Sequence, residues 1–185
     1  MFLPIVLAAA LAASPPATRC YTEHEARFTS KDAAITIAAG LSIPTTRPGE
    51  RKPAILMVTG SGPHTRDQMI SRVPMFRMLG DYLAPLGFVV LRPDSRGFGG
   101  STGPDDEEQT TTAERVLDNR AALEWLRARP EVDPARTFIF GHSEGGMIAA
   151  ELALASPDLA GLILLSTSAI PGEEVLAYQG TAGLR

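Results

Sequence analysis

One stretch of the chain has the residue types and spacing of an activated serine. Gly141-His142-Ser143-Glu144-Gly145-Gly146 follows the apolar run Thr137-Phe138-Ile139-Phe140 and precedes Gly145 to Ser156, where Ile148 and Leu152 recur at helical spacing. A strand that turns straight into a helix must pass very close to it. Glycines at 141 and 145, having no Cβ, allow that approach. Ser143 then stands at the apex of the turn with its hydroxyl above the strand end. The free N–H groups of the helix N-terminus lie beneath it, at the positive end of the helix dipole. Such N–H groups can hold a developing oxyanion. Ser143 is therefore the candidate nucleophile, and a serine that merely caps the helix is the plain alternative.

The elements that must position this turn are legible in the hydropathy pattern. The 185 residues are 44% apolar and 21% charged, enough for one domain with a core and too few for two. Ala26–Phe28 and Ile35–Pro44 read as a leading antiparallel hairpin. Ala54–Val58, Phe88–Leu91, Phe138–Phe140 and Leu162–Leu165 are continuous apolar runs, the pattern of strands buried on both faces. Thr59 to Ser71 reads as a long loop. Phe76, Leu79 and Leu83 share a helical face, with Gly87 as its stop. Thr111-x-x-Glu114 is a capping box that opens a helix with Ala113, Val116, Leu123 and Leu126 on one face and Pro130 after it. Strand and helix alternate, so the fold class is α/β: a mostly parallel sheet with helices on both faces and an N-terminal hairpin. Ligands of such sheets bind beyond the carboxyl ends of the strands.

Three motifs, in this order, resemble the α/β-hydrolase superfamily, and in particular its bacterial carboxylesterase and serine-peptidase members. They are Thr59-Gly60-Ser61-Gly62-Pro63, Asp94-Ser95-Arg96-Gly97-Phe98-Gly99-Gly100-Ser101, and the turn at Ser143. The resemblance runs from about Ala54 to Ser168. It implies an acyl-enzyme mechanism at Ser143, with an oxyanion hole made by the backbone N–H groups of Ser61 and Glu144. It implies that Asp94 to Ser101 shapes the rim, Asp94 bonding loop N–H groups. The Glu144 side chain is expected to run along the rim or out to solvent.

The same resemblance calls for a carboxylate and then a histidine after the serine. The three histidines are His24, His64 and His142, and none follows Ser143. His142 neighbours the serine in sequence and should point to the other side of the strand end. His64 lies in the loop after the first buried strand, and His24 in the N-terminal segment. Glu173 and Glu174 stand several residues past the last strand, and Asp158 precedes it at the wrong edge of the sheet. The expectation is a chain truncated at its C-terminus, lacking the triad acid and base, with an unpaired apolar edge at Leu162–Leu165.

Phe2–Ala13 is too short to span a bilayer and has the length of an export signal, so residues 1–18 are read as a signal peptide and 25–185 as a partial hydrolase domain. The expected location is periplasmic or secreted, with no stable membrane anchor. The single cysteine, Cys20, follows Arg19 and reads as a plain thiol; it can form no intrachain disulfide. A net charge of −4 carries no footprint for nucleic acid, and Asp105–Glu108 reads as a solvated run. No G-x-G-x-x-G follows a strand and no P-loop is present. No cofactor or metal is implied. The expected partner is a small-molecule ester or amide; the alternative is a non-catalytic hydrolase fragment or binding protein.

Overall fold

The computed structural model describes residues 20–31, 35–104, 110–170, 173–174 and 177–178. The segment read as an export signal lies outside them, as does the acidic run at 105–108. The leading hairpin forms as β1 (Tyr21–Thr29) and β2 (Thr36–Pro44). The apolar runs become β3 (Lys52–Val58), β6 (Val89–Pro93), β7 (Val132–His142) and β8 (Gly161–Leu165). The helices are α1 (Met75–Leu83), α2 (Thr112–Arg127) and α3 (Glu144–Leu154). The loop after β3 carries a short hairpin not foreseen from sequence, β4 (Met69–Ile70) and β5 (Val73–Pro74), with left-handed backbone at Gln68, Ser71 and Arg72.

Among the described residues, one sheet has the order β1-β2-β6-β3-β7-β8. Its last four strands are parallel and its first two pairings antiparallel. The two-residue period of β3 explains why helices cover both faces. Ile55 and Met57 point to one side, where Phe76 of α1 packs among Val90 and Phe140. Phe76 and Phe140 meet edge to face at 5.7 Å. Ala54, Leu56 and Val58 point to the other side, under Val116, Leu123 and Leu126 of α2 and Ile148 and Leu152 of α3. The capping box holds: Thr111 Oγ1 accepts from the Glu114 N–H, and the Glu114 carboxylate accepts from the Thr111 N–H. Ala113, expected on the inward face, is exposed.

The loops above the sheet are tied down by charges rather than by apolar packing. Asp94 accepts from the backbone N–H of Arg66 (2.6 Å) and of Gly100 (3.0 Å) and from the Arg66 guanidinium (2.8 Å). Arg96 donates twice to Asp118 of α2, at 2.8 Å each, and Asp118 also accepts from Ser30 Oγ. Ser101 Oγ accepts from the Ala38 N–H of β2 (2.9 Å). The Asp94–Ser101 motif is thus a brace between β2, the loop after β3 and α2. Arg92, wholly buried, pairs with Glu23 and Asp67.

β8 departs from the reading of a strand buried on both faces. Among the described residues it pairs with β7 alone, and Ile163, Leu164 and Leu165 are 43%, 49% and 39% exposed. An apolar run reports that both faces are apolar, not that both are covered.

Two predictions test this bracing. Asp118→Ala should cost about 1.5–3 kcal/mol in urea unfolding, because it leaves the buried Arg96 guanidinium with the Glu114 carboxylate and carbonyl after losing two bonds; a loss near zero would show that the pair is dispensable. Burial pushes the Asp94 carboxyl up, but Arg66 and the Gly100 N–H pull it further down, so it sits below its usual value of 3.8. A depressed carboxylate adds stability above the unfolded value, and that stability is lost as pH falls through the folded one. Arg66→Met should therefore move the acid-unfolding midpoint, followed by circular dichroism, to higher pH. An unchanged midpoint would contradict the assignment.

Candidate active site

The strand order fixes where a site can form. From β3 the chain crosses to β6 on one side, and from β7 it crosses to β8 on the other, while β3 and β7 are themselves neighbours. The connections diverge at the carboxyl ends of this central pair and leave a crevice there. Val58 of β3 stands in register with Gly141 of β7. The loop carrying Ser61 and the turn carrying Ser143 therefore emerge side by side.

Ser143 has φ 54° and ψ −122°, a backbone conformation that L-residues rarely adopt. Such strain costs about 1–3 kcal/mol and persists only where surrounding bonds over-determine it. Here the Ser143 N–H donates to the Leu165 carbonyl of β8 (2.9 Å), and the Gly146 N–H donates to the Ser143 carbonyl (3.0 Å). The Ser143 hydroxyl makes no capping bond to α3. The close approach that the glycines permit is visible: a Cβ on Gly141 would lie 2.4 Å from the Gly145 carbonyl oxygen, and one on Gly145 2.3 Å from that of Val58.

The loop after β3 lies against this turn. A Cβ on Gly60 would come within 3.2 Å of Ser143 Cβ and 3.1 Å of His142 Nδ1. Ser61 is exposed in that loop, and Glu144 is the first residue of α3.

His142 is turned into the structure, where Gln68 Nε2 donates to its Nδ1 (2.7 Å). Burial, with His64 nearby, holds its imidazole below the usual histidine range, so it stays neutral at pH 7. His64 Nε2 donates to the Ser61 carbonyl (2.8 Å), so a neutral His64 carries its lone pair on Nδ1. His24 is exposed on β1, bonded to Thr22. Asp158 pairs with Arg127 at the far end of the sheet, and Glu173 and Glu174 are exposed.

Of the two courses expected for Glu144, along the rim or out to solvent, the side chain takes the first. Its side chain is mostly buried and ion-paired rather than running out to solvent: Arg115 Nη1 donates to Oε2 (2.6 Å) and Thr112 Oγ1 to Oε1 (2.6 Å). Arg115 Nη2 also donates to the carbonyls of Gly60 (2.5 Å) and Thr59 (3.2 Å). Sequence reasoning missed Arg115, although one signal was present. A cation in the first turns of a helix opposes the dipole there, and residues that break a local rule are often functional. Behind this pair, Thr59, Gly62, Phe98, Arg115, Asn119 and Glu144 border a cavity of about 170 Å³. Dry engineered cavities of about 150 Å³ hold benzene, so it has room for a small organic group.

A family model described as serine aminopeptidase, S33, matches residues 67–182. The chain is 32% identical over 127 residues to the esterase EstD of Thermotoga maritima, covering 69% of this chain and 30% of that protein. It is 36% identical over 101 residues to the human protein ABHD12B, covering 55% of this chain and 24% of that protein. It thus spans less than a third of the length of these two relatives. Among solved structures, the hypothetical protein PA2218 from Pseudomonas aeruginosa aligns with a TM-score of 0.68 at 20% identity, over 99% of this chain and 58% of the other. The α/β hydrolase GrgF from Penicillium sp. sh18 aligns with a TM-score of 0.66 at 20% identity, over 87% and 54%.

Gly145→Ala should cost about 3 kcal/mol in urea unfolding, the upper end of the usual overpacking range, because the added methyl meets unyielding backbone oxygens. Gly161→Ala, whose Cβ would make only ordinary contact with the Phe138 ring at 3.4 Å, serves as the control. Equal effects at the two positions would show that the turn is not close-packed.

Proposed function

The chain belongs to the serine aminopeptidase, S33, family of α/β-hydrolases, and on that premise we propose that it is a serine hydrolase that cleaves carboxylic esters through an acyl-enzyme on Ser143. The observation that carries this reading is the strained backbone of Ser143, whose hydroxyl caps nothing and which stands at the divergence of the central strands. Backbone strain retained at a turn of this kind points from geometry to function. The relative that is itself an esterase supports an ester over an amide. The family description supports a peptide amide as the second reading.

In this reading Ser143 Oγ gives its proton to a general base and attacks the acyl carbon. The carbonyl π pair moves onto oxygen, and the N–H groups of Ser61 and Glu144 hold that oxyanion. Collapse breaks the bond to the alcohol, which leaves with the proton from the base. Water, deprotonated by the same base, then releases the acid and restores the serine. No residue of this chain is assigned as that base or as its carboxylate partner. The substrate is a small-molecule ester met outside the cytoplasm, a location supported by the apolar segment Phe2–Ala13.

The test is labelling of the purified chain with a fluorophosphonate probe and turnover of p-nitrophenyl butyrate, with Ser143→Ala as the control. Labelling and turnover that vanish in the control are the expected result, and they would make His64 Nδ1 the first base to examine. Labelling that survives in Ser143→Ala overturns the nucleophile. A folded chain that neither labels nor turns over supports the non-catalytic reading instead.

A further inference from the structure

The two candidate oxyanion donors sit on different elements. Glu144 N–H opens α3, and Ser61 N–H belongs to the loop after β3. Donors of this kind work only if both stand about 2.7–3.1 Å from the position the oxyanion takes. Something must therefore fix the first peptides of the loop against the helix, because the Ser143 N–H bonds to β8 and His142 reaches the loop only further on, at Gln68.

Arg115 makes that connection. Its guanidinium reaches from α2 to the Glu144 carboxylate through Nη1 and to the Gly60 carbonyl through Nη2. The Gly60 carbonyl and the Ser61 N–H belong to one peptide unit. In a planar trans peptide these two groups point in opposite directions. A cation that holds the oxygen on the α2 side therefore aims the N–H to the opposite side, and a flip of this one peptide would withdraw the donor. The Thr59 carbonyl and hydroxyl, each 3.2 Å from Nη2, hold the preceding peptide in the same way. On the other flank Gly60 lies against Ser143 and His142, so the loop is gripped from both sides. The cation also polarises the peptide and strengthens its N–H as a donor. Glu144 balances the charge, and Thr112 Oγ1 fixes the second carboxylate oxygen.

We propose that Arg115 is the positioning residue of the oxyanion hole, locking the Gly60–Ser61 peptide in its donor orientation relative to the N-terminus of α3. The proposal rests on Ser143 being the nucleophile, but its structural core can be tested without turnover.

Two variants of the full chain serve the test. Arg115→Ala removes the lock, and Arg115→Lys keeps the charge while losing the planar fork that spans both partners. The 15N order parameters of the Gly60 and Ser61 amides should fall from about 0.85 to below about 0.6 in Arg115→Ala, while those of β3 and β7 stay unchanged. Turnover of p-nitrophenyl butyrate should fall in kcat by about 100-fold, the loss typical of one oxyanion donor, with KM changed less than threefold. Millimolar guanidinium should restore part of the lost rate in Arg115→Ala, which a general loss of stability would not allow; Arg115→Lys should remain impaired. Unchanged order parameters at Gly60 and Ser61 in folded Arg115→Ala overturn the lock, whether or not the protein turns over. So does a fall confined to KM. If turnover is absent or persists in Ser143→Ala, the reading of the nucleophile fails, and the order parameters still decide the role of Arg115.

Discussion

The closeness of α3 to the ends of the two central strands is the constraint from which the candidate site follows. A helix cannot begin one residue after a strand unless its first turn passes over the neighbouring strand with no side chain between them. Gly145 lies over the Val58 carbonyl, and Gly141 lies under the Gly145 carbonyl. That contact forces the residue between them into a conformation that serine adopts at a cost. It also brings the helix N-terminus, with its unpaired N–H groups, to the same point. Close packing, strain and an electropositive pocket are three results of one geometric fact.

Much of the fold was legible in the sequence because the features involved are local. Ala54–Val58 and Phe138–Phe140 announce buried strands through composition alone, and Thr111 with Glu114 announces a helix start through two reciprocal hydrogen bonds. The turn at Ser143 is readable because glycine spacing reports sterics within five residues. The short hairpin at Met69–Pro74 was not readable, since its backbone depends on left-handed Gln68, Ser71 and Arg72, residues with no intrinsic preference for that region. Ala113 has the right spacing for the inward face and yet is exposed, because the sheet beneath α2 begins only one turn further on, at Val116.

The candidate site was legible only in part for the same reason. Ser143, Ser61 and Glu144 sit in motifs whose glycines mark them. The bond from Arg115 to Gly60 joins residues 55 apart in sequence, and that from Arg66 to Asp94 joins residues 28 apart. Such pairs leave no period and no spacing rule behind them; they come into view only when the sheet order is known. They also share a purpose. Loops above a sheet have little apolar surface to bury, so this chain fixes them with arginines bonded to carboxylates or carbonyls from another element. A half-satisfied network of this kind is worse than none, which makes each brace an all-or-nothing device.

The bond from the Ser143 N–H to the Leu165 carbonyl gives β8 a second significance. Among the described residues β8 lies at the rim of the sheet, paired with β7, and its apolar side chains are partly exposed. Outer strands open first and most often, on an opening free energy well below that of the whole domain. The strained turn thus takes one of its restraints from a strand at the rim of the described sheet. Each excursion of β8 would release that hydrogen bond, so the backbone strain at Ser143 is held by a local equilibrium and not by the fold as a whole.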